Sequence, residues 1–447
     1  MSITGMKIGK FFTATLSLLA ATYSANVAIS ADRSDEQLMP ILSYREGAYA
    51  SGSRPLWAGM IDYYNYVNEV EGGINGVKLN IWECETAYAV ERGVECYERF
   101  KKGIDGSPAA IFSPNSYPLA EALIETTVRD KIPHFNLNYG RDAATNGSVF
   151  PYYFPVMLNA YNGVSAQINY IQTQLKPGES MSDLKIAIVY LDGAYGRGVF
   201  APLELMQEQH GFELLKVPVA HPGLEQRAQW QQIRRAKIDW VLFRTWGAMT
   251  PVAIKTAART GFPTDRLIGD IWSGGESDVI PAGEAGVGYT AITTYPAGTD
   301  FELIQNIKKN IVDTGKSDLR GPEDFGTVYY NSGVVQAVLM TEALREGMKK
   351  FGNRPLTGEE AQWGLEHISV DQNRLKELGM VGLMQEIALS CSDHEGGGAA
   401  RMLQWDGKKW LTISDWIPGD RELTRQVVDA EAAAYAEEKG ITPRTCS

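Results

Sequence analysis

The chain has 447 residues, room for two or three domains of ordinary size. Its composition, 44% hydrophobic and 21% charged, is that of a soluble globular protein and excludes collagen-like and disordered classes. A formal net charge of −12 argues against a phosphate-tracking surface, so no nucleic-acid partner is expected.

The amino terminus reads as an export signal. Lys7 and Lys10 form a positive region, 11–27 an apolar one, and Ile29-Ser30-Ala31 a small-residue cleavage site. Residues 1–31 are therefore expected to be a cleaved signal peptide. The polar run 32–36 that follows fits export better than a first core helix does. No cysteine lies near the cut, and no other run approaches the ~20 apolar residues of a membrane span, so no membrane anchor is expected. The four cysteines, Cys84, Cys96, Cys391 and Cys446, form an even set, as disulfides in an exported protein require. Three pairings are possible. Cys84–Cys96 and Cys391–Cys446 are favoured, because each is close in order or ties down a terminus. No CxxC or HxxxH spacing supports a metal site.

A short strand is predicted at 39–44, then a Gly- and Ser-rich loop, then a helix at 56–70 with apolar residues on one face. Gly72-Gly73 stops it, and a strand follows at 77–82. Helices are expected at 87–102, 119–131 and 160–175, and strands at 108–112, 132–137 and 152–156. The connector 176–183 is rich in turn residues. The second half opens on 185–218: an apolar strand at 186–190, a glycine loop at 191–198, a helix at 199–210 stopped by Gly211, and a second apolar segment at 212–217. This is one unit of a parallel α/β sheet, the same plan as 39–82, and in such sheets ligands bind beyond the carboxyl ends of the strands. Further helices are expected at 228–236, 250–260, 301–314, 327–350 and 356–365, with strands at 240–243, 267–271 and 287–294. The tail at 401–416, with Asp406-Gly407 between apolar runs, reads as a hairpin. Two similar α/β halves suggest two lobes with a cleft between them.

Catalytic signatures are missing. None of the five histidines lies in an HExxH or HxxxH pattern, and there is no GxSxG elbow or phosphate-binding GxxxxGK[ST] loop. The glycines at 193, 196 and 198 lack dinucleotide spacing. No cofactor is expected, and the protein is not expected to be an enzyme.

Five segments in order resemble the solute-binding proteins of ABC importers, of the periplasmic leucine/isoleucine/valine-binding type. They are Asn68–Leu79 with its Gly72-Gly73-Ile74-Asn75-Gly76 turn, Ala110-Ile-Phe-Ser113-Pro-Asn-Ser116, Ala194-Tyr195-Gly196-Arg197-Gly198, Ile238-Asp239-Trp-Val-Leu, and Pro281-Ala282-Gly283 with Gly286 and Gly288. The resemblance implies a type I periplasmic binding protein fold: α/β, two Rossmann-like lobes, three crossovers near 157–160, 292–297 and 388–400, and a central cleft closed by hinge motion. It implies an N-terminal lobe of 32–158 and 295–390 and a C-terminal lobe of 159–294 and 391–447. It also implies a monomer in the periplasm that captures a small polar organic solute (amino acid, amide or aromatic carboxylate) and passes it to inner-membrane ABC permease subunits. A periplasmic sensor subunit of the same fold is the alternative, with an amide or ester hydrolase behind it.

In this family hydroxyl-bearing loops hold a solute carboxylate. Ser113 and Ser116 occupy the matching loop, although Ser116 is equally placed to cap the next helix. Asn138 and Tyr139 depart from the family pattern and speak against a simple branched-chain amino acid. Tyr195 sits where the family closes a tyrosine over the solute. Trp246 and Trp272 end two second-lobe strands, where projection into the cleft and structural packing compete. Glu276 or Asp270 would meet an ammonium, and Arg45 and Arg141 would meet a carboxylate unless surface ion pairs hold them. The aromatics near this cleft, Tyr117 among them, tilt the expectation toward a planar solute.

Overall fold

The apolar runs between polar loops become parallel strands, in two sheets whose carboxyl ends face each other. The structure, a computed structural model, describes residues 33–47 and 49–446; the expected signal peptide lies outside the described residues. In the first lobe β1 (Gln37–Ser43), buried along its whole length, pairs in parallel with β2 (Leu79–Glu85). Between them α1 (Ala50–Tyr66) runs into a π turn, Val67–Glu71, and ends at Gly72 with φ 78°. Gly72 thus takes the left-handed position that closes a helix. Then come α2 (Val90–Phe100), α3 (Tyr117–Asp130), β3 (His134–Leu137) and β4 (Tyr153–Val156), the last two paired in parallel. The strand expected at 108–112 is reduced to two parallel bridges, Leu38↔Ala109 and Phe112↔His134. Pro108 and Pro114 bracket it, and proline cannot donate to a ladder.

The second lobe begins with α4 (Ala160–Thr173), β5 (Lys185–Leu191), α5 (Ala194–Arg197), α6 (Phe200–His210) and β6 (Glu213–Val219). It continues through α7 (Arg227–Ala236), β7 (Trp240–Arg244), α8 (Met249–Arg259), β8 (Leu267–Gly269), α9 (Glu276–Val279) and β9 (Thr290–Thr293). Its parallel strands lie in the order β6-β5-β7-β8-β9. The first lobe has the same plan, with β2 and β1 followed by the 109–112 segment, β3 and β4.

The chain then returns to the first lobe through α10 (Glu302–Ile307), which passes into a π turn before the expected helix end, and α11 (Val328–Phe351). α11 is buried almost all round, which marks a core helix. It lies against α1 so closely that a Cβ at Gly59 would meet the carbonyl oxygen of Tyr330, and one at Gly333 that of Leu56. After α12 (Gly358–Leu365), β10 (Ser369–Val370), α13 (Gln372–Glu377) and β11 (Ile387–Ala388), the chain crosses again. β12 (Ala399–Trp405) adds antiparallel to β9 and carries β13 (Trp410–Thr412) in the expected hairpin; β14 (Ile417–Pro418) pairs with its other end. The architecture is the expected one of two Rossmann-like lobes with three crossings.

The last helix, α14 (Arg421–Lys439), touches both lobes. Val427 and Val428 cluster with Tyr161 of α4 and Leu205 of α6, while Tyr435 stacks on Phe150 of the first lobe with centroids 4.7 Å apart. Cys84 pairs with Cys96 and Cys391 with Cys446.

Candidate functional site

Loops at the carboxyl ends of strands from both sheets enclose a cavity of about 270 Å³. This is the position where doubly wound sheets take ligands. Tyr44 and Tyr49 follow β1, Tyr88 follows β2, Asn115 and Tyr117 follow the 109–112 segment, and Tyr139 follows β3. From the other lobe come Tyr195 after β5, Trp246 after β7 and Trp272 after β8. Tyr88 and Asn115 hold left-handed backbones, φ 62° and 44°. Such conformations cost a non-glycine residue energy and concentrate at functional sites.

Several of these rings stand at right angles. Tyr44 meets Tyr88 at 83°, Trp246 meets Trp272 at 89°, and Tyr139 meets Trp272 at 80°. Tyr49 stacks on Trp246 across the lobes. The indole Nε1 of Trp272 donates to the carbonyl oxygen of Asn138, 3.1 Å away in the opposite lobe. Tyr195 donates its hydroxyl to Asp270 at 2.5 Å, and Arg244 lies against its ring at 4.2 Å while pairing with Asp270 at 2.7 Å. Burial, then the Asp270 charge, holds the Tyr195 phenol well above its ordinary pKa, so it stays a neutral donor.

Of the residues singled out from sequence, Tyr117, Tyr139, Tyr195, Trp246 and Trp272 line the cavity. Ser113 lies behind it, its hydroxyl accepting from Gln336 at 2.6 Å and from Asn115 at 3.1 Å. Ser116 is the residue before α3 and makes no side-chain capping bond. Asn138 sits beneath the cavity and donates to Thr294. Glu276 lies outside it: its carboxylate accepts from the backbone N–H of Val328 at the start of α11. Arg45 pairs with Glu83 and Asp318, and Arg141 with Glu121. Sequence reasoning missed Tyr44, Tyr49, Tyr88 and Asn115. Their shared signal is position, since each follows a first-lobe strand.

Two carboxylates link the lobes beside the cavity. Asp278 of α9 accepts from the Tyr329 hydroxyl of α11 at 2.6 Å, next to the contact from Glu276 to Val328. Burial pushes both carboxyls up to about 7.

A model of the periplasmic binding protein family matches residues 39–409. The chain belongs to that family. A crystal structure described as an ABC transporter permease from the Pseudomonas fluorescens group is 56% identical, covers 93% of this chain and 100% of its own, and superposes with a TM-score of 0.90. A branched chain amino acid ABC transporter from Thermus thermophilus, solved with bound valine, shares the fold at 18% identity, covering 88% of this chain and 98% of its own with a TM-score of 0.70. Leu/Ile/Val-binding protein homolog 7 of Brucella suis biovar 1 (strain 1330) is 24% identical over 266 residues. That match spans 55% of this chain and 64% of the relative's length. In a periplasmic binding protein the cleft between the lobes is the feature to interpret. Here it is walled by eight aromatic side chains. Among the described residues no helix is long and apolar enough to cross a membrane.

Proposed function

We propose that the protein is the solute receptor of an ABC importer of the branched-chain amino acid type. It closes two lobes over a small organic solute and presents the loaded form to inner-membrane permease subunits. The observation that carries this reading is the cavity itself, which takes its walls from the strand ends of both sheets. A solute there adds contacts that only the closed form can make, and so shifts the population toward closure. Family membership and the likeness to ABC transporter structures support the reading. We assign the lobes to 32–158 with 295–390 and 159–294 with 391–447, and the solute contacts to Tyr139, Tyr195, Trp246 and Trp272. The protein works as a monomer in the periplasm after loss of residues 1–31, and binding alone, without bond-making chemistry, is its task.

The test is to purify the mature protein from the periplasm and combine native mass spectrometry with small-angle scattering. A co-purified small molecule, and a smaller radius of gyration with solute than without it, are expected. A protein that is empty on isolation, and that neither compacts nor gains thermal stability across a broad solute panel, would sink the proposal.

A further inference from the structure

The lining of this cavity carries information about charge. Among the described residues no Lys, Arg, Asp or Glu contributes to it. Four arginines close in the chain to its loops are committed to carboxylates, Arg197 to Asp192 among them. Arg244 is matched by Asp270, Arg45 by Glu83 and Asp318, and Arg141 by Glu121. A carboxylate entering here would shed water and find no cation to replace it, which is costly. The aromatic walls act in the opposite sense. Each ring presents a negative face, and a desolvated cation held against such faces is attracted to them. The ring geometry narrows the shape. A flat solute calls for two parallel walls with a gap between them. Here the stacked pairs that set a cavity-wall indole against the opposite lobe, Tyr49 with Trp246 and Tyr329 with Trp272, have centroids 5.7 Å and 6.2 Å apart and leave no gap. The right-angled pairs form corners, which suit a compact, rounded group. One polar atom adds a requirement: the side-chain oxygen of Asn115, a residue only 5% exposed, has no hydrogen-bond partner. It is an acceptor in the cavity wall.

We propose that the solute is an organic cation, a substituted ammonium compound without a carboxylate, whose cationic head sits between the tyrosine and tryptophan faces and whose N–H or O–H donates to Asn115. The inference rests on the receptor reading above and specifies its ligand.

The experiment uses the mature protein at fixed salt and follows tryptophan fluorescence, since Trp246 and Trp272 line the cavity. Choline is compared with its uncharged isostere 3,3-dimethylbutan-1-ol and with leucine and benzoate. The charge of any solute co-purified from the periplasm is determined by mass spectrometry. Choline is expected to bind at least roughly tenfold more tightly than the isostere. Trp246→Phe should keep that preference and Trp246→Leu should lose it, with thermal melts showing that both variants fold. Equal binding of the isostere, or tighter binding of leucine or benzoate, overturns the cation class and leaves the receptor reading standing. If no probe binds, a cationic co-purified solute supports the inference and a neutral or anionic one overturns it. An empty protein that binds nothing overturns both.

Discussion

Tyr195 joins the wall of the cavity to the charge behind it. Its ring lines the space, and its hydroxyl satisfies Asp270, which also holds Arg244. Tyr195→Ala is therefore expected to weaken solute binding by roughly tenfold or more, because it opens one wall. Far-ultraviolet circular dichroism should remain that of the parent, since the residue lies in the single turn of α5, outside both sheets; unchanged affinity in a titration would remove Tyr195 from the site. The loop that carries this tyrosine was legible from its place after an apolar strand, and the family resemblance singled out Tyr195 within it and drew attention to Tyr139, while Trp246 and Trp272 stood out as the ends of second-lobe strands. The sequence did not expose Tyr88 or Asn115, whose approach depends on left-handed backbones that no periodicity records. Nor did it show that Ser113 is engaged by Gln336, a residue 223 positions away that only the packing of α11 brings near.

Two helices set how the lobes meet. α9 offers Glu276 and Asp278 to the first turn of α11, where a helix amino terminus favours negative charge. Burial nonetheless dominates and holds both carboxyls near 7, with Asp324 and Asp270 adding repulsion. The sign follows from linkage. A carboxyl whose pKa rises on closing binds a proton as the lobes close, so acid favours the closed form, and this advantage is lost as pH climbs from the ordinary carboxyl range through about 7. Solute affinity should therefore fall between pH 5 and pH 7 and level off above that in calorimetric titrations, and Asp278→Asn should flatten that slope. An affinity independent of pH in the parent protein would show that these contacts do not open and close with the lobes. α11 also constrains α1. Gly333→Ala sets a methyl against the Leu56 carbonyl and should cost about 1–3 kcal/mol, read as a lower urea midpoint. α1 and α11 could be located from their apolar runs, but the glycine contact between them could not, because it depends on how two distant segments cross.

The two halves of the fold were visible in the repeated strand–loop–helix–strand plan at 39–82 and 185–218, and the periodic runs of the second half nearly all became the expected elements. The resemblance to binding proteins supplied the three crossings that this rhythm alone does not reveal. Neither source pointed to α14 lying across both lobes, since its contacts pair positions far apart in the chain. The helix is amphipathic, and its partners Tyr161 and Phe150 belong to different lobes. Beyond it, Arg444 reaches the carbonyl oxygens of Ser148 and Gly147 and pairs with Glu366, and Cys446 closes the path on Cys391. The carboxyl-terminal tail is thus a fourth tether, parallel to the three crossings yet clear of the solute. A brace of that kind governs tempo more than affinity. Cys446→Ser should leave the equilibrium dissociation constant within about twofold while raising association and dissociation rates together, as stopped-flow fluorescence would reveal. The length of time a captured molecule waits for its transporter would then be written in the last residues of the chain, well away from the pocket that holds it.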